Sequence, residues 1–298
     1  MRIPVIANPS SGRGRTARLL PEVVAALADG GFQADVVLSR DAQHLREAVR
    51  TERDRGSERI LICGGDGTLH LAVQELAGGD TGLGVIPAGT GDDNARTLGV
   101  PRRSVREATA LAAQGPLTSV DLGHVATADG TRRFFLGVMS SGFDSLVNER
   151  ANRMTRPSGD ARYVVAILAE LRTFRPVPYT AEIDGRAVSG EAMLVAVGNG
   201  ASYGGGMRVC PEADPGDGML DITWLHGVSK ATFLRVFPQV FQGGHVRSRH
   251  VSTLRARHVR LDAPGQIVYA DGEHVGPLPA QIEARPGALR VARGGTSA

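Results

Sequence analysis

Three glycine-rich stretches carry the residues best suited to chemistry. They are Asn8-Pro9-Ser10-Ser11-Gly12-Arg13-Gly14, Gly64-Gly65-Asp66-Gly67-Thr68 and Pro87-Ala88-Gly89-Thr90-Gly91-Asp92-Asp93. Glycine lets a backbone approach a polyphosphate closely, and a helix starting just after the loop offers unpaired N–H groups and a partial positive charge. Thr68 and Thr90 add hydroxyl donors. Asp66 is the odd member, because a carboxylate among phosphates is repulsive unless a divalent cation lies between them. The chain's single lysine is Lys230, so a lysine-bearing P-loop is excluded, and Arg13 and Arg15 are the cations nearest the loops. Any one loop reads equally well as an ordinary strand-to-helix turn. Three on successive crossovers imply a nucleotide site that does without a Walker lysine.

Two other groups stand out. The turn Asp214-Pro215-Gly216-Asp217-Gly218-Met219 can offer the Asp217 carboxylate with main-chain carbonyls of Asp214 and Met219, hard oxygen ligands suited to Mg²⁺ or Ca²⁺. Spacing alone does not separate this from a surface turn capped by its own carboxylates. Residues 245–260 hold Arg247, Arg249, Arg255, Arg257 and Arg260 with no acid. Strand alternation would put several on one face, either toward an anionic membrane or merely toward solvent. The eight histidines lack zinc-ligand spacing, and the two cysteines rule out a disulfide scaffold.

The elements that must position these groups change character midway. Residues 3–7, 34–38, 59–63 and 83–86 read as buried strands, alternating with helical patterns around Leu20, Val23, Val24 and Leu27, over 41–51 and over 68–76. Pro21 predicts a helix start or kink there. Ser104 with Glu107 three positions on announces a further helix. Such alternation implies a parallel sheet with helices on both faces, whose loops converge at the carboxyl ends of the strands. From about Val120 strands dominate, at 132–138, 179–183, 192–197, 220–225, 246–254, 258–261 and 267–270, with helices at 146–154, 163–174 and 229–241. Asp-Gly pairs at 129–130, 184–185 and 271–272 signal hairpins. The expected fold class is α/β, with a Rossmann-like three-layer nucleotide-binding domain over 1–120 and an antiparallel β-sandwich over 121–298 whose end returns to the first domain.

Composition bounds the rest. The 39 glycines among 298 residues exceed average usage, yet with 16 prolines the total stays below the level of low-complexity chains. A net charge of +3 gives no reason to expect nucleic acid as a partner. The opening residues lack a signal-peptide pattern and no stretch is long enough to span a membrane, so the expectation is a cytoplasmic protein.

The ordered set of motifs resembles the diacylglycerol kinase catalytic-domain family, which includes bacterial lipid kinases and sphingosine and ceramide kinases. The three loops carry the resemblance, followed by Asp121-Leu122-Gly123, Gly142-Phe143-Asp144, Gly198-Asn199-Gly200 with Gly204-Gly205-Gly206, the turn from Pro211 to Asp221, and Asp271-Gly272-Glu273. The third loop departs from the family's Gly-Thr-x-Asn-Asp-Phe-Ala-Arg in carrying Asp92 and Asn94. The resemblance implies an ATP- and Mg²⁺-dependent kinase of diacylglycerol or a related lipid, acting in phospholipid biosynthesis at a membrane it touches peripherally; a homodimer is compatible with it. It implies ATP contacts at Asn8, Pro9, Ser10, Ser11, Gly12, Ser39, Gly64, Gly65, Asp66, Gly67, Thr68, Leu69, His70, Gly89 and Thr90. It also implies a structural Mg²⁺ at Asp214, Asp217 and Met219, and catalytic acids among Asp271, Glu273 and Asp66. Asp271 is the first choice as proton acceptor and Glu273 the reserve. The rival readings are an NAD kinase, whose Asn-Glu pair finds only Asn148-Glu149 here, a polar-alcohol kinase, and a non-enzymatic nucleotide- or lipid-binding protein.

Overall fold

A computed structural model describes residues 1–154 and 160–294. Its first half is a parallel sheet ordered β2-β1-β3-β4, built from β1 (Arg2–Ala7), β2 (Gln33–Leu38), β3 (Arg59–Gly64) and β4 (Gly82–Pro87). The crossovers are α1 (Ser11–Asp29), α2 (Ala42–Asp54) and α3 (Asp66–Leu76), and after β4 come the short α4 (Asp93–Thr97) and α5 (Val105–Gln114). Alternation along each strand sorts the core into two layers. Ile6, Ile60, Ile62, Leu83 and Val85 pack with Leu45 and Val49 of α2 and Leu69 and Val73 of α3. Ile3, Val5, Leu61, Cys63 and Ile86 pack with Val23 and Leu27 of α1 and Ala112 of α5. Both faces are therefore covered, and the loops are left as the sheet's working edge.

The helix α1 does not start at Pro21, which lies inside it. Its irregularity comes seven to nine residues earlier, where Gly12, Arg13 and Gly14 are all left-handed. A side chain at Gly12 would come 2.0 Å from the Ala88 carbonyl oxygen, so the turn is shaped by contact with the third loop. Ser104 caps α5 by accepting the Glu107 N–H at 3.2 Å.

The second half is a β-sandwich with inserted helices. Its strands are β5 (Leu117–Thr127), β6 (Arg132–Phe135), β7 (Val138–Gly142), β8 (Val177–Ile183), β9 (Arg186–Gly198), β10 (Leu220–His226), β11 (Val251–Ala256), β12 (His258–Asp262), β13 (Ile267–Ala270), β14 (Glu273–Pro277) and β15 (Ala280–Ala292). Between them lie α6 (Phe143–Arg153), α7 (Asp160–Thr173) and α8 (Lys230–Val236). Trp224, Tyr179, Phe135, Ile222 and Ile282 fill the core, with the Tyr179 and Trp224 rings edge-on at 5.9 Å. On the outer face of β9 and β10, Phe143, Phe174 and Phe233 form a second cluster beneath the helices. The last strand joins the two halves. β15 pairs antiparallel with β5 and, at Val291 opposite Leu83, parallel with β4. No helix among the described residues is long and apolar enough to cross a membrane.

Several boundaries differ from the sequence reading. The stretch 132–138 is two strands, because the N–H groups of Leu136 and Gly137 turn away to the Asp271 carboxylate. The stretch 229–241 is helical only to Val236, and at Phe237, ahead of Pro238, it tightens to a 3₁₀ turn (Phe237–Gln242). The expected strand 246–254 begins only at Val251, after a second 3₁₀ turn (Gly244–Arg247), so its arginines do not form one strand face. β5, β14 and β15 were not anticipated. β15 reads poorly because Pro286-Gly287 interrupts it, and there its register shifts while the Gly287 N–H bonds Asp121 Oδ1 at 2.7 Å.

Candidate active site

The three glycine loops meet at the carboxyl edge of the sheet and brace one another. Asn8 Nδ2 and Ser11 Oγ reach Thr68 Oγ1 at 3.4 and 3.0 Å, tying the first loop to the second. Asn8 Oδ1 accepts the Ser10 N–H at 3.1 Å, which fixes the turn at Pro9. A side chain at Gly64 would collide with Thr68, and one at Gly65 would come 3.0 Å from the Gly89 Cα, so backbone packs on backbone here. Arg15 Nη1 lies 3.4 Å from the Gly89 carbonyl, leaving a guanidinium beside the third loop; Arg13 is exposed. Ser10 and Thr90 are exposed at the loop tips. Ser39 is buried at the end of β2, its N–H bonded to Ala7 O. Leu69 points into the core, which removes its side chain from any nucleotide.

Asp66 opens α3, where the helix dipole favours a negative charge. Its Oδ1 accepts the Asn94 N–H at 2.9 Å. Burial nevertheless pushes its pKa up to about 6, and the neighbouring carboxylates Asp93 and Asp92 push the same way. Asp66 Oδ2 and Asp93 Oδ2 both come within 3.3 Å of where a Gly91 side chain would stand. Asp66 Oδ2, which no cationic side chain opposes, lies beside loops shaped for phosphate, and such a group fits Mg²⁺, which is held by one or two carboxylates together with phosphate oxygens.

The third loop is closed by its own unusual residues. Asp92, left-handed at φ 50°, accepts the Gly89 N–H on Oδ1 at 2.8 Å. Asp93 reaches across to the sandwich, where Ser202 Oγ and the Gly205 N–H bond it at 3.2 and 2.6 Å, and Arg96 pairs with it. Asn94 is buried with its Nδ2 unpartnered. Its Oδ1 and that of Asp271 each stand 2.9 Å from where a Gly137 side chain would lie.

Asp271 and Glu273, two residues apart, have opposite environments. The Asp271 side chain is 1% exposed. Its Oδ1 accepts the Gly137 N–H at 2.8 Å, and its Oδ2 accepts the Leu136 N–H at 3.1 Å and faces His70 Nδ1 at 3.3 Å. Glu273 is exposed, and its Oε1 stands 2.7 Å from where a Gly67 side chain would be. The sandwich thus presents a free carboxylate to the start of α3. Gly67 must lack a side chain for this approach.

The expected second metal turn is arranged differently. Asp217 Oδ1 accepts the Met219 N–H at 2.9 Å, and Arg255 pairs with its Oδ2. Arg255 Nε also lies 3.5 Å from Asp221. The Asp214 carbonyl receives the Asp217 N–H at 3.4 Å, and Asp121 clamps the turn by accepting the Gly218 N–H at 2.6 Å. The one carboxylate this turn would offer a cation is already matched by an arginine. In this arrangement Arg255 supplies the positive charge at the turn, while Asp221 Oδ2 is buried without a hydrogen-bond partner.

The sequence reading gave no role to Asp93, Asp121 or Asn199, although all three fell within quoted motifs. Asn199 is buried, and its Nδ2 bonds the carbonyls of Asp121 and Leu136 at 2.9 and 2.8 Å, locking β5 and the β6–β7 break to the Gly198-Asn199-Gly200 turn. Cys63 and Cys210 are buried, and burial pushes both thiols up to about 12, consistent with inert packing. Asn148-Glu149 falls on α6; the Asn148 side chain lies outside the described residues.

Comparison with known proteins agrees with this two-part layout. Residues 2–125 match the family described as diacylglycerol kinase catalytic domain, and residues 137–293 match the YegS C-terminal NAD kinase beta sandwich-like domain. A protein named diacylglycerol kinase from Mycobacterium tuberculosis (strain CDC 1551 / Oshkosh) is 41% identical over 293 residues, which covers 98% of this chain and 95% of the relative. The crystal structure of a diacylglycerol kinase from Bacillus anthracis str. Sterne superposes with a TM-score of 0.75 at 22% identity, covering 100% and 98% of the two chains. An NAD kinase from Archaeoglobus fulgidus in complex with ATP shares the fold more distantly, with a TM-score of 0.56 at 13% identity over 99% and 94% of the chains.

Proposed function

Because this chain belongs to the diacylglycerol kinase catalytic-domain family, we propose that it is a lipid kinase that transfers the γ-phosphoryl group of ATP, with Mg²⁺, to a hydroxyl of diacylglycerol or a closely related lipid. The observation that carries this reading is the approach of Glu273 Oε1 to Gly67, which sets an exposed carboxylate of the sandwich against the phosphate-binding loop.

Phosphoryl transfer is mostly positioning and charge neutralisation. The backbone N–H groups of the glycine loops and the start of α3 receive phosphate oxygens, and Arg15 adds a cation beside Gly89. Asp66 would hold Mg²⁺, which when bound would neutralise phosphate charge. The lipid hydroxyl oxygen bonds the γ-phosphorus as the bond to the leaving ADP oxygen breaks, and its proton passes to a carboxylate. Glu273 suits that step better than Asp271, because its carboxylate is exposed, whereas both Asp271 oxygens are occupied by backbone N–H groups and one also faces His70. Asp271 instead positions: it holds Leu136-Gly137 and α3 against the hairpin that carries Glu273. The enzyme would work in the cytoplasm with peripheral contact to the membrane that holds its acceptor.

The test is incubation of purified protein with γ-labelled ATP, Mg²⁺ and a panel of diacylglycerols, other lipid alcohols, NAD and polar alcohols. Label in a lipid phosphate is expected. Label only in NAD or in a polar alcohol would overturn the reading.

A further inference from the structure

We infer that residues 230–249, comprising α8 and the two 3₁₀ turns after it, form the surface that docks this enzyme on an anionic phospholipid bilayer. The inference rests on the lipid-kinase reading only for its purpose, since the surface is argued from its own residues.

Large apolar side chains are exposed here: Leu234 on α8 at 50% and Phe241 on the first 3₁₀ turn at 54%. Phe237 lies between them, its ring 6.5 Å from that of Phe241. Lys230, Arg235, Arg247 and Arg249 are exposed on the same segment, and none has a carboxylate partner among the described residues. No aspartate or glutamate occurs anywhere from residue 222 to 261. A pocket of about 420 Å³ lined by Pro238, Gln239, Gln242, Gly244 and Arg247 opens on this segment, roomy enough for a lipid phosphate beside the Arg247 guanidinium. Apolar side chains among unopposed cations match a bilayer interface, where the former enter the acyl boundary and the latter meet anionic headgroups.

The segment is firmly founded and linked to the site. Phe233 and Val236 are buried against Phe143 and Leu225, and Val240 is buried with Tyr203, Val209 and Cys210. The Val240 carbonyl accepts the Arg208 N–H at 2.9 Å. From there the chain runs back through the Tyr203–Met207 bridge to Gly205, whose N–H holds Asp93 of the third loop. A bilayer bound at this surface is therefore one packed layer from the loop that closes the phosphate site.

Co-sedimentation with vesicles of phosphatidylglycerol and phosphatidylcholine, across a salt series, tests the inference. The intact chain is expected to bind at low salt and release at high salt. Leu234→Ser combined with Phe241→Ser, and separately Arg235→Gln with Arg247→Gln and Arg249→Gln, should each weaken binding, by about fivefold per cation removed. Arg132→Gln with Arg186→Gln, exposed arginines elsewhere, should bind as the parent does. Phosphorylation of a short-chain diacylglycerol dissolved as monomers should be unchanged in every variant. Absence of vesicle binding by the parent, or equal losses in the control pair, would overturn the docking surface. Patch-dependent vesicle binding without phosphorylation of any lipid would instead uphold the surface and overturn the lipid-kinase reading.

Discussion

Nδ1 of His70, in the helix that follows the second glycine loop, lies 3.3 Å from Oδ2 of Asp271, two hundred and one residues further along the chain. This buried contact fixes the hairpin β13–β14 against α3 and sets the height at which Glu273 meets Gly67. It separates the environments of two acids two residues apart, Asp271 buried and held by hydrogen bonds and Glu273 exposed.

Glu273→Gln should therefore lower kcat about 10²–10⁴-fold with unchanged folding stability and ATP affinity. Asp271→Asn should act first on stability. An amide offers one acceptor oxygen where two backbone donors and a histidine now converge, so urea unfolding should show a loss of about 1–3 kcal/mol. Asp184→Asn is a useful second comparison, because Asp184 also binds backbone N–H groups, those of Arg257 and His258, but far from the loops. A larger kcat loss in Asp271→Asn than in Glu273→Gln would return the proton-acceptor role to Asp271.

Gly67→Ala isolates the geometry of that approach. Within a helix, alanine is favoured over glycine by up to about 1 kcal/mol, so the melting temperature should hold or rise. The new methyl group meets only the mobile end of Glu273, which must move away, and kcat should fall at least tenfold. Gly12→Ala is the contrasting case. Its left-handed φ of 58° and the Ala88 carbonyl 2.0 Å away leave no room, and thermal melting should show clear destabilisation.

The pH dependence of the metal- and nucleotide-free protein follows from four acids raised by burial, Asp66, Asp92, Asp144 and Asp221. Asp66 and Asp144 are each pushed up from 3.8 to about 6. Between those values the folded chain binds more protons than the unfolded chain, so stability falls as pH rises through the window from about 4 to 6 and levels off above it. Asp66→Asn should shallow that slope and leave the shares of Asp92, Asp144 and Asp221, while abolishing most phosphoryl transfer. Denaturant titrations at a series of pH values measure it; an unchanged slope in Asp66→Asn would overturn the assignment.

At the turn near Asp217, the arginine pairing predicts that Mg²⁺ matters to catalysis and not to the turn's stability. Removing Mg²⁺ with a chelator should stop turnover without moving the melting temperature. Arg255→Ala leaves Asp217 and Asp221 facing each other unopposed, and its lowered melting temperature should recover on adding Mg²⁺. A parent protein whose melting temperature rises with millimolar Mg²⁺ as steeply as that variant's would show that the turn binds the metal despite Arg255.

The amino-acid sequence determined what its local chemistry encodes. Short apolar runs alternating with helical periods specify the parallel sheet, because each run buries both faces, and the loop glycines mark where backbone must meet backbone or ligand. Asp66 could be singled out because a carboxylate in a phosphate loop is anomalous on sight. Tertiary structure alone decided which of Asp271 and Glu273 is free, since that depends on the N–H groups of Leu136 and Gly137, more than 130 residues away in sequence. It alone placed Asp93 as the tie to Gly205 and set the Arg255 guanidinium against Asp217. Periodicity reports which face of an element is buried, whereas the partner of a buried charge is chosen by long-range packing. β15 shows the limit most plainly: its Pro286-Gly287 interruption reads as a loop until Asp121, on another strand, supplies the acceptor that the shifted register requires.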